Sequence, residues 1–178
     1  KAQEYLRKGN EIVQVVGKSI SAAKKYQDLG ISQPQWQNVN YVLLTAISHL
    51  DFSRISRTVE LGNLEIYADP LLEEVFVSLF RNTLTRGQGE TEVTIRYRQN
   101  QKYITVLFLD NGPGIPAGEK EQIFAWEYNG SSGTNLFLAR EILSITGISL
   151  AETGAPGTGV QFEIIVPEGG YRFRDTND

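Results

Sequence analysis

The sequence predicts an α+β fold, a two-layer α/β sandwich in which helices cover one face of a mixed, mainly antiparallel sheet, preceded by a long N-terminal helix. Its elements run helix, strands, helix, hairpin, long loop, helix, hairpin, which lacks the regular alternation of a doubly wound parallel sheet. The apolar pattern switches between helical spacing and short alternating or continuous runs at the places where that order requires it. The chain has 178 residues, 40% of them hydrophobic, which suits one core-bearing domain and a small appendage.

Residues 1–29 have helical period: Tyr5, Ile12, Val16, Ile20, Ala23 and Tyr26 recur among Lys, Glu and Gln. A helix of that length ahead of the main core must bury its stripe against a second helix, from a partner chain, or against its own domain. Gly30 and Pro34 end it and open a linker over 30–38, with Trp36 as an anchor. Residues 39–50 return to helical spacing through Val39, Val42, Leu43, Ala46, Ile47 and Leu50, and 55–59 and 64–67 read as short strands around Gly62 and Asn63.

Asp69 and Pro70 form a helix start, Asp69 as N-cap and Pro70 at the first helical position, with Glu73 and Glu74 near its positive end. Leu71, Leu72, Val75, Phe76, Leu79, Phe80 and Leu84 give the 70–86 helix its buried face. Residues 91–98 and 103–109 read as a hairpin across 99–101, 134–146 as a helix, and 148–151 and 160–166 as strands. The polar tail over 168–178 is expected to be loose, and the main domain covers 39–167.

Composition narrows the function. A formal charge of −4 gives no long-range attraction for nucleic acid or an anionic membrane, though local basic groups can still hold a phosphate. Cys and Met are absent, which leaves no disulfide framework or thiolate metal site, and the missing Met suggests a segment of a longer protein. No stretch of 18 apolar residues and no secretory signal is visible. The domain is therefore expected in the cytoplasm, whether or not the full-length protein is anchored to a membrane.

The most informative segment is 110–116, Asp-Asn-Gly-Pro-Gly-Ile-Pro, where a carboxylate at the end of a buried strand leads into a turn. Alone it reads equally as an ordinary Asn-Gly turn or as a ligand site. Two other elements add weight. Asn82 lies among apolar neighbours in the last turns of the 70–86 helix, and an Asn carbonyl oxygen is a competent ligand for Mg²⁺ carrying phosphates. The small residues 130–133 feed the start of the 134–146 helix, whose free N–H groups form a phosphate site. A strand-end carboxylate such as Asp110 can accept a hydrogen bond from an exocyclic amine.

Together these residues closely resemble the ATP-binding domain of sensor histidine kinases, within the fold shared with DNA gyrase, Hsp90-type chaperones and MutL; the resemblance spans about residues 36–167. The 1–29 helix resembles the second helix of the dimerisation and histidine-phosphotransfer domain, and the 26–30 and 34–36 stretches are similar to kinases of methanogenic archaea. The resemblance implies Mg²⁺ and ATP as cofactors. It gives Asn82 the metal and a catalytic part, and Asp110, Gly112, Gly114 and Ile115 the adenine pocket. Phe124 falls in the lid, Ser132, Gly133, Thr134, Asn135 and Leu136 beside the phosphates, and Thr158, within 157–159, at a final glycine turn.

Departures gather at the phosphate end. The first asparagine of the family's pair is Ser78 here, kept as a catalytic position with weaker reach; the alanine after the second is Thr83; a basic residue falls on Thr85. Arg86 reads either as a phosphate contact or as a solvated helix end. The lid lacks the arginine after Phe124, Gly130 stands where a lysine is usual, and Asn135 replaces a glycine, where its side chain either crowds the triphosphate or donates to it. His49, the only histidine, lies at the end of the 39–50 helix and reads as a surface or capping imidazole.

The resemblance therefore implies a histidine kinase domain that cannot complete autophosphorylation alone. Its implied partners are ATP or ADP, a phosphoacceptor-histidine helix, a response regulator, and a second copy through the N-terminal helix of the full-length protein. The alternative is a degenerate nucleotide-sensing or structural module.

Overall fold

The computed structural model describes residues 2–48, 50–53, 55–86, 91–128, 131–132 and 135–174. Its elements are α1 (Ala2–Gln27), β1 (Gln35–Asn38), α2 (Val39–Ser48), β2 (Ile55–Glu60), β3 (Leu64–Ala68), α3 (Leu72–Arg86), β4 (Thr91–Gln99), β5 (Tyr103–Asp110), β6 (Glu127–Tyr128), β7 (Ser131–Ser132), α4 (Asn135–Ser144), β8 (Ser149–Glu152), β9 (Gln161–Pro167) and β10 (Tyr171–Phe173). The main sheet has the order β2-β4-β5-β9-β8; β2 runs parallel to β4 and the other neighbours are antiparallel. This is the expected two-layer sandwich with a mixed, mainly antiparallel sheet.

Helix α3 is the centre of the core because five of its apolar residues share one face. Leu72, Val75, Phe76, Leu79 and Phe80 have no exposed surface. Phe80 meets Phe52 and Phe108 edge-on, each with ring centroids 5.0 Å apart, and so joins α3 to the loop before β2 and to the central strand β5. Phe108 lies opposite Phe162 of β9, and Ala139, Ile142 and Leu143 bring α4 onto the same core. Asp69 behaves as expected of a cap residue. Its Oδ1 accepts the Leu71 N–H at 2.9 Å, while Oδ2 accepts the Gly30 N–H at 3.3 Å and fastens the chain leaving α1.

Long-range pairing places the two early strands and corrects one expectation, the loose tail. The strands at 55–60 and 64–68 do not pair with each other. Polar β2 takes the edge of the main sheet, whereas the nearly buried β3 is the middle strand of a second sheet, β1-β3-β10. That sheet absorbs residues 35–38 of the linker and 171–173 of the tail. The 168–178 tail is therefore not loose through Phe173: the Arg172 guanidinium donates to Glu65 at 2.6 Å and lies 4.3 Å over the Trp36 ring.

Helix α1 leaves much of its apolar stripe uncovered. Tyr5, Ile12, Val16 and Ile20 are all at least half exposed, so the stripe is not buried on the chain's own domain. Its C-terminal end packs through Tyr26, which lies 6.1 Å from Trp126 and 6.2 Å from Phe137. No helix among the described residues is long and apolar enough to cross a membrane.

Candidate nucleotide site

The end of β5, the C-terminal half of α3 and the turn before β9 converge on Asp110. Its Oδ1 accepts the backbone N–H groups of Gly112 and Val160, both at 2.9 Å, and its Oδ2 accepts the Thr83 hydroxyl at 2.7 Å. The carboxylate is thus held from its own turn, from the residue just before β9 and from α3. About four acceptor positions exist on a carboxylate, so one on Oδ2 remains for a ligand donor. Asp110 is 9% exposed, which puts that acceptor at the edge of the core.

Gly114 and Gly159 are required because the turns at 110–116 and 157–159 interlock. Gly114 has φ +74°, and a Cβ there would meet the Gly159 carbonyl at 3.0 Å. Gly159 has φ +99°, and a Cβ there would sit 1.8 Å from the Asp110 carbonyl oxygen. The Gly157 N–H donates to the Pro113 carbonyl at 3.1 Å and the Asp110 N–H to the Val160 carbonyl at 2.9 Å. What reads locally as an Asn-Gly turn is one half of a two-loop clasp around a carboxylate. The Thr158 hydroxyl donates to Ala155 within its own turn at 2.8 Å.

At the other end of the site, Asn82 is half-buried, and its Nδ2 is enclosed without a hydrogen-bond partner. An enclosed amide N–H with no partner needs an acceptor, which a phosphate oxygen or a water can supply. No group of three or more His, Cys, Asp or Glu capable of holding a metal exists among the described residues. The side-chain oxygen of Asn82 is the one atom of that amide able to ligate Mg²⁺.

Ser78, one turn earlier on the same face, is less available than expected. It is 4% exposed and its hydroxyl donates to the Glu74 carbonyl at 2.7 Å, so its proton is committed within α3. Arg86 forms an ion pair with Glu119, 3.8 Å away, in the short 3₁₀ turn Ala117–Glu119. Ile115, Phe124 and Leu136, all expected at the nucleotide, are core residues. Phe124 packs on Phe162 at 6.3 Å and carries the Arg140 guanidinium 4.0 Å over its ring, so it anchors the lid from behind.

The lid between Phe124 and α4 contains the short ribbon β6–β7, with Glu127 opposite Ser132. Asn135 is the first residue of α4 and Ser132 the last of β7. Gly130, Gly133, Thr134 and His49 lie outside the described residues.

Sequence reasoning marked Thr83 as a departure and missed its bond to Asp110. It also missed the clamp by which Lys120 Nζ pairs with Glu152 Oε2 at 2.7 Å and bonds the Gly154 carbonyl. Glu152 Oε1 accepts the N–H groups of Gly154 and Gln161, which ties the start of the lid to the 154–159 loop. A charged pair 32 residues apart leaves no local signal.

An α/β sandwich whose central helix, strand-end aspartate and glycine turn meet in this order defines an ATPase-type catalytic domain with the histidine kinase fold. Residues 68–170, more than half of the chain, match the family described as Histidine kinase-, DNA gyrase B-, and HSP90-like ATPase, and the chain belongs to it. The adaptive-response sensory kinase SasA of Prochlorococcus marinus (strain MIT 9313) is 25% identical over 184 residues, covering 93% of this chain and 49% of the relative. The chain spans about half the length, or less, of the curated relatives it matches. Among solved structures, the mycobacterial sensor histidine kinase MprB superposes with a TM-score of 0.65 at 18% identity, over 75% of this chain and 97% of that one. Full-length ShkA in complex with AMPPNP superposes with a TM-score of 0.71 at 15% identity, over 96% of this chain and 38% of that one. These two likenesses show the fold.

Proposed function

We propose that this chain is the ATP-binding catalytic domain of a two-component sensor histidine kinase. It binds Mg-ATP between α3, the 110–116 turn and the 130–135 lid, and passes the γ-phosphoryl to a histidine on a dimerisation domain. The observation that carries this reading is the clasped Asp110 carboxylate, which keeps one acceptor position for an exocyclic amine. Asn82 would hold the Mg²⁺, which would supply positive charge against the triphosphate. The part of this chain is positioning: Asp110 fixes the base, the start of α4 offers backbone N–H groups to the phosphates, and Phe124 with Arg140 holds the lid's root.

In the same reading residues 1–29 are the second helix of the dimerisation domain, 30–38 the connection, 39–167 the catalytic domain and 168–178 its tail. The exposed stripe of α1 supports pairing with a second copy, and a response regulator is the downstream partner. The archaeal affinity rests on the 26–30 and 34–36 stretches alone. Placement in the cytoplasm, with or without a membrane anchor in the full-length protein, belongs to the same proposal.

A second reading, a nucleotide-sensing module with little transfer activity, is favoured by the internal bond of Ser78 and by the pairing of Arg86 with Glu119. The two separate in a phosphotransfer assay in which the chain is mixed with Mg-ATP and an intact dimerisation domain carrying the acceptor histidine. Acid-labile phosphate on that domain supports the kinase. Saturable ADP binding without transfer refutes the kinase and leaves the sensing module.

A further inference from the structure

Helix α3 carries three hydroxyl side chains, and two of them do what hydroxyls in helices ordinarily do. Ser78 donates to the Glu74 carbonyl and Thr85 to the Arg81 carbonyl, each four residues back at 2.7 Å. Thr83 departs from this. It is 1% exposed, and its hydroxyl reaches across the core to Asp110 Oδ2, 27 residues away. Its neighbour in sequence is Asn82, so adjacent residues of one helix serve the two ends of the site.

We infer that Thr83 is the positioning residue of the base end: its hydroxyl fills one acceptor position of Asp110 Oδ2, so the carboxylate presents a nucleobase with a single, fixed acceptor, and discrimination for a base bearing an exocyclic amino group depends on it. The inference rests on the nucleotide-binding reading above. Oδ1 is filled by two backbone N–H groups, so only Oδ2 can vary. Without the Thr83 hydroxyl, Oδ2 has two open positions. A water entering with the base, or a shifted carboxylate plane, then satisfies Oδ2 as well as the base's amine does. Thr83 is β-branched and stiff at χ1, so its proton is aimed before any ligand arrives.

The test compares ADP with purine riboside 5′-diphosphate, which lacks the 6-amino group, by calorimetry on the wild type, T83S, T83V and T83A. T83V keeps the shape and removes the donor, T83S keeps the donor, and T83A is the smaller residue the helix can hold without strain. Wild type and T83S should prefer ADP by the same ratio. In T83V and T83A the ratio should shrink by about tenfold, the scale of one hydrogen bond to a charged group. A merely structural Thr83 would lower the melting temperature and leave the ratio unchanged, and that result overturns the assignment. A wild type that binds no ADP overturns the nucleotide reading and this inference with it, whereas a wild type that binds ADP with an unchanged ratio in T83V and T83A overturns the inference alone.

Discussion

Asp110→Asn puts the base end under the sharpest strain the structure allows. The amide has one oxygen and one NH₂, so its orientation is forced. Two backbone N–H groups, from Gly112 and Val160, point at the Oδ1 position, and only the oxygen can meet them. The NH₂ therefore replaces Oδ2, and the Thr83 hydroxyl must turn from donor to acceptor. Three charge-assisted bonds become neutral ones, each weaker by about 1 kcal/mol, for a stability loss of about 3 kcal/mol. In a domain of this size that lowers Tm by about 6–12 °C. Binding suffers differently, because the ligand's amine now faces a donor in place of an acceptor. ADP affinity should fall by about tenfold to a hundredfold. Calorimetric titration of ADP, with a thermal melt of both proteins, separates the effects. A folded variant that binds ADP as well as the wild type refutes the role given to Asp110.

Other substitutions probe the supports of that site. Gly159→Ala forces a Cβ to within 1.8 Å of the Asp110 carbonyl at a positive φ, so the clasp must open; ADP binding should be lost, together with about 3 kcal/mol or more of stability measured by denaturant unfolding. Lys120→Ala leaves Glu152, whose side chain has no exposed surface, without its ion-pair partner and should cost about 3 kcal/mol in the same measurement. Phe80→Ala empties the junction of α3, β5 and Phe52 and should cost about 3–5 kcal/mol, with urea unfolding as the check. Asn135→Gly at the first residue of α4 should raise ATP affinity relative to ADP, and an unchanged or lower ratio in calorimetry shows that the triphosphate already accommodates the side chain.

The parts legible in the sequence were those whose cause is local. Helix α3 announces itself through Asp69, Pro70 and an apolar face at helical spacing, and the β4–β5 hairpin through two strands joined at 99–101. Periodicity says which face of a segment is buried; it does not name the partner. For that reason the sheets to which β2 and β3 belong could not be read, and the strand character of 35–38 and 171–173 was hidden until Glu65 met Arg172, 107 positions away. The same limit applies to the site. The residue types of the 110–116 turn could be read, but its clasp with 157–159 depends on β5 and β9 being paired. Thr83 stood out as an unusual residue, and only the fold shows where its proton goes.

The account stands or falls on whether this chain holds an adenine nucleotide through Asp110. The most direct measurement is a calorimetric titration of the wild-type chain with ADP and ATP, each with and without Mg²⁺. The account predicts saturable binding of both nucleotides at one site, with Mg²⁺ strengthening ATP more than ADP. Absence of binding up to about millimolar nucleotide, the weakest affinity a specific site of this kind can usefully have, would contradict it.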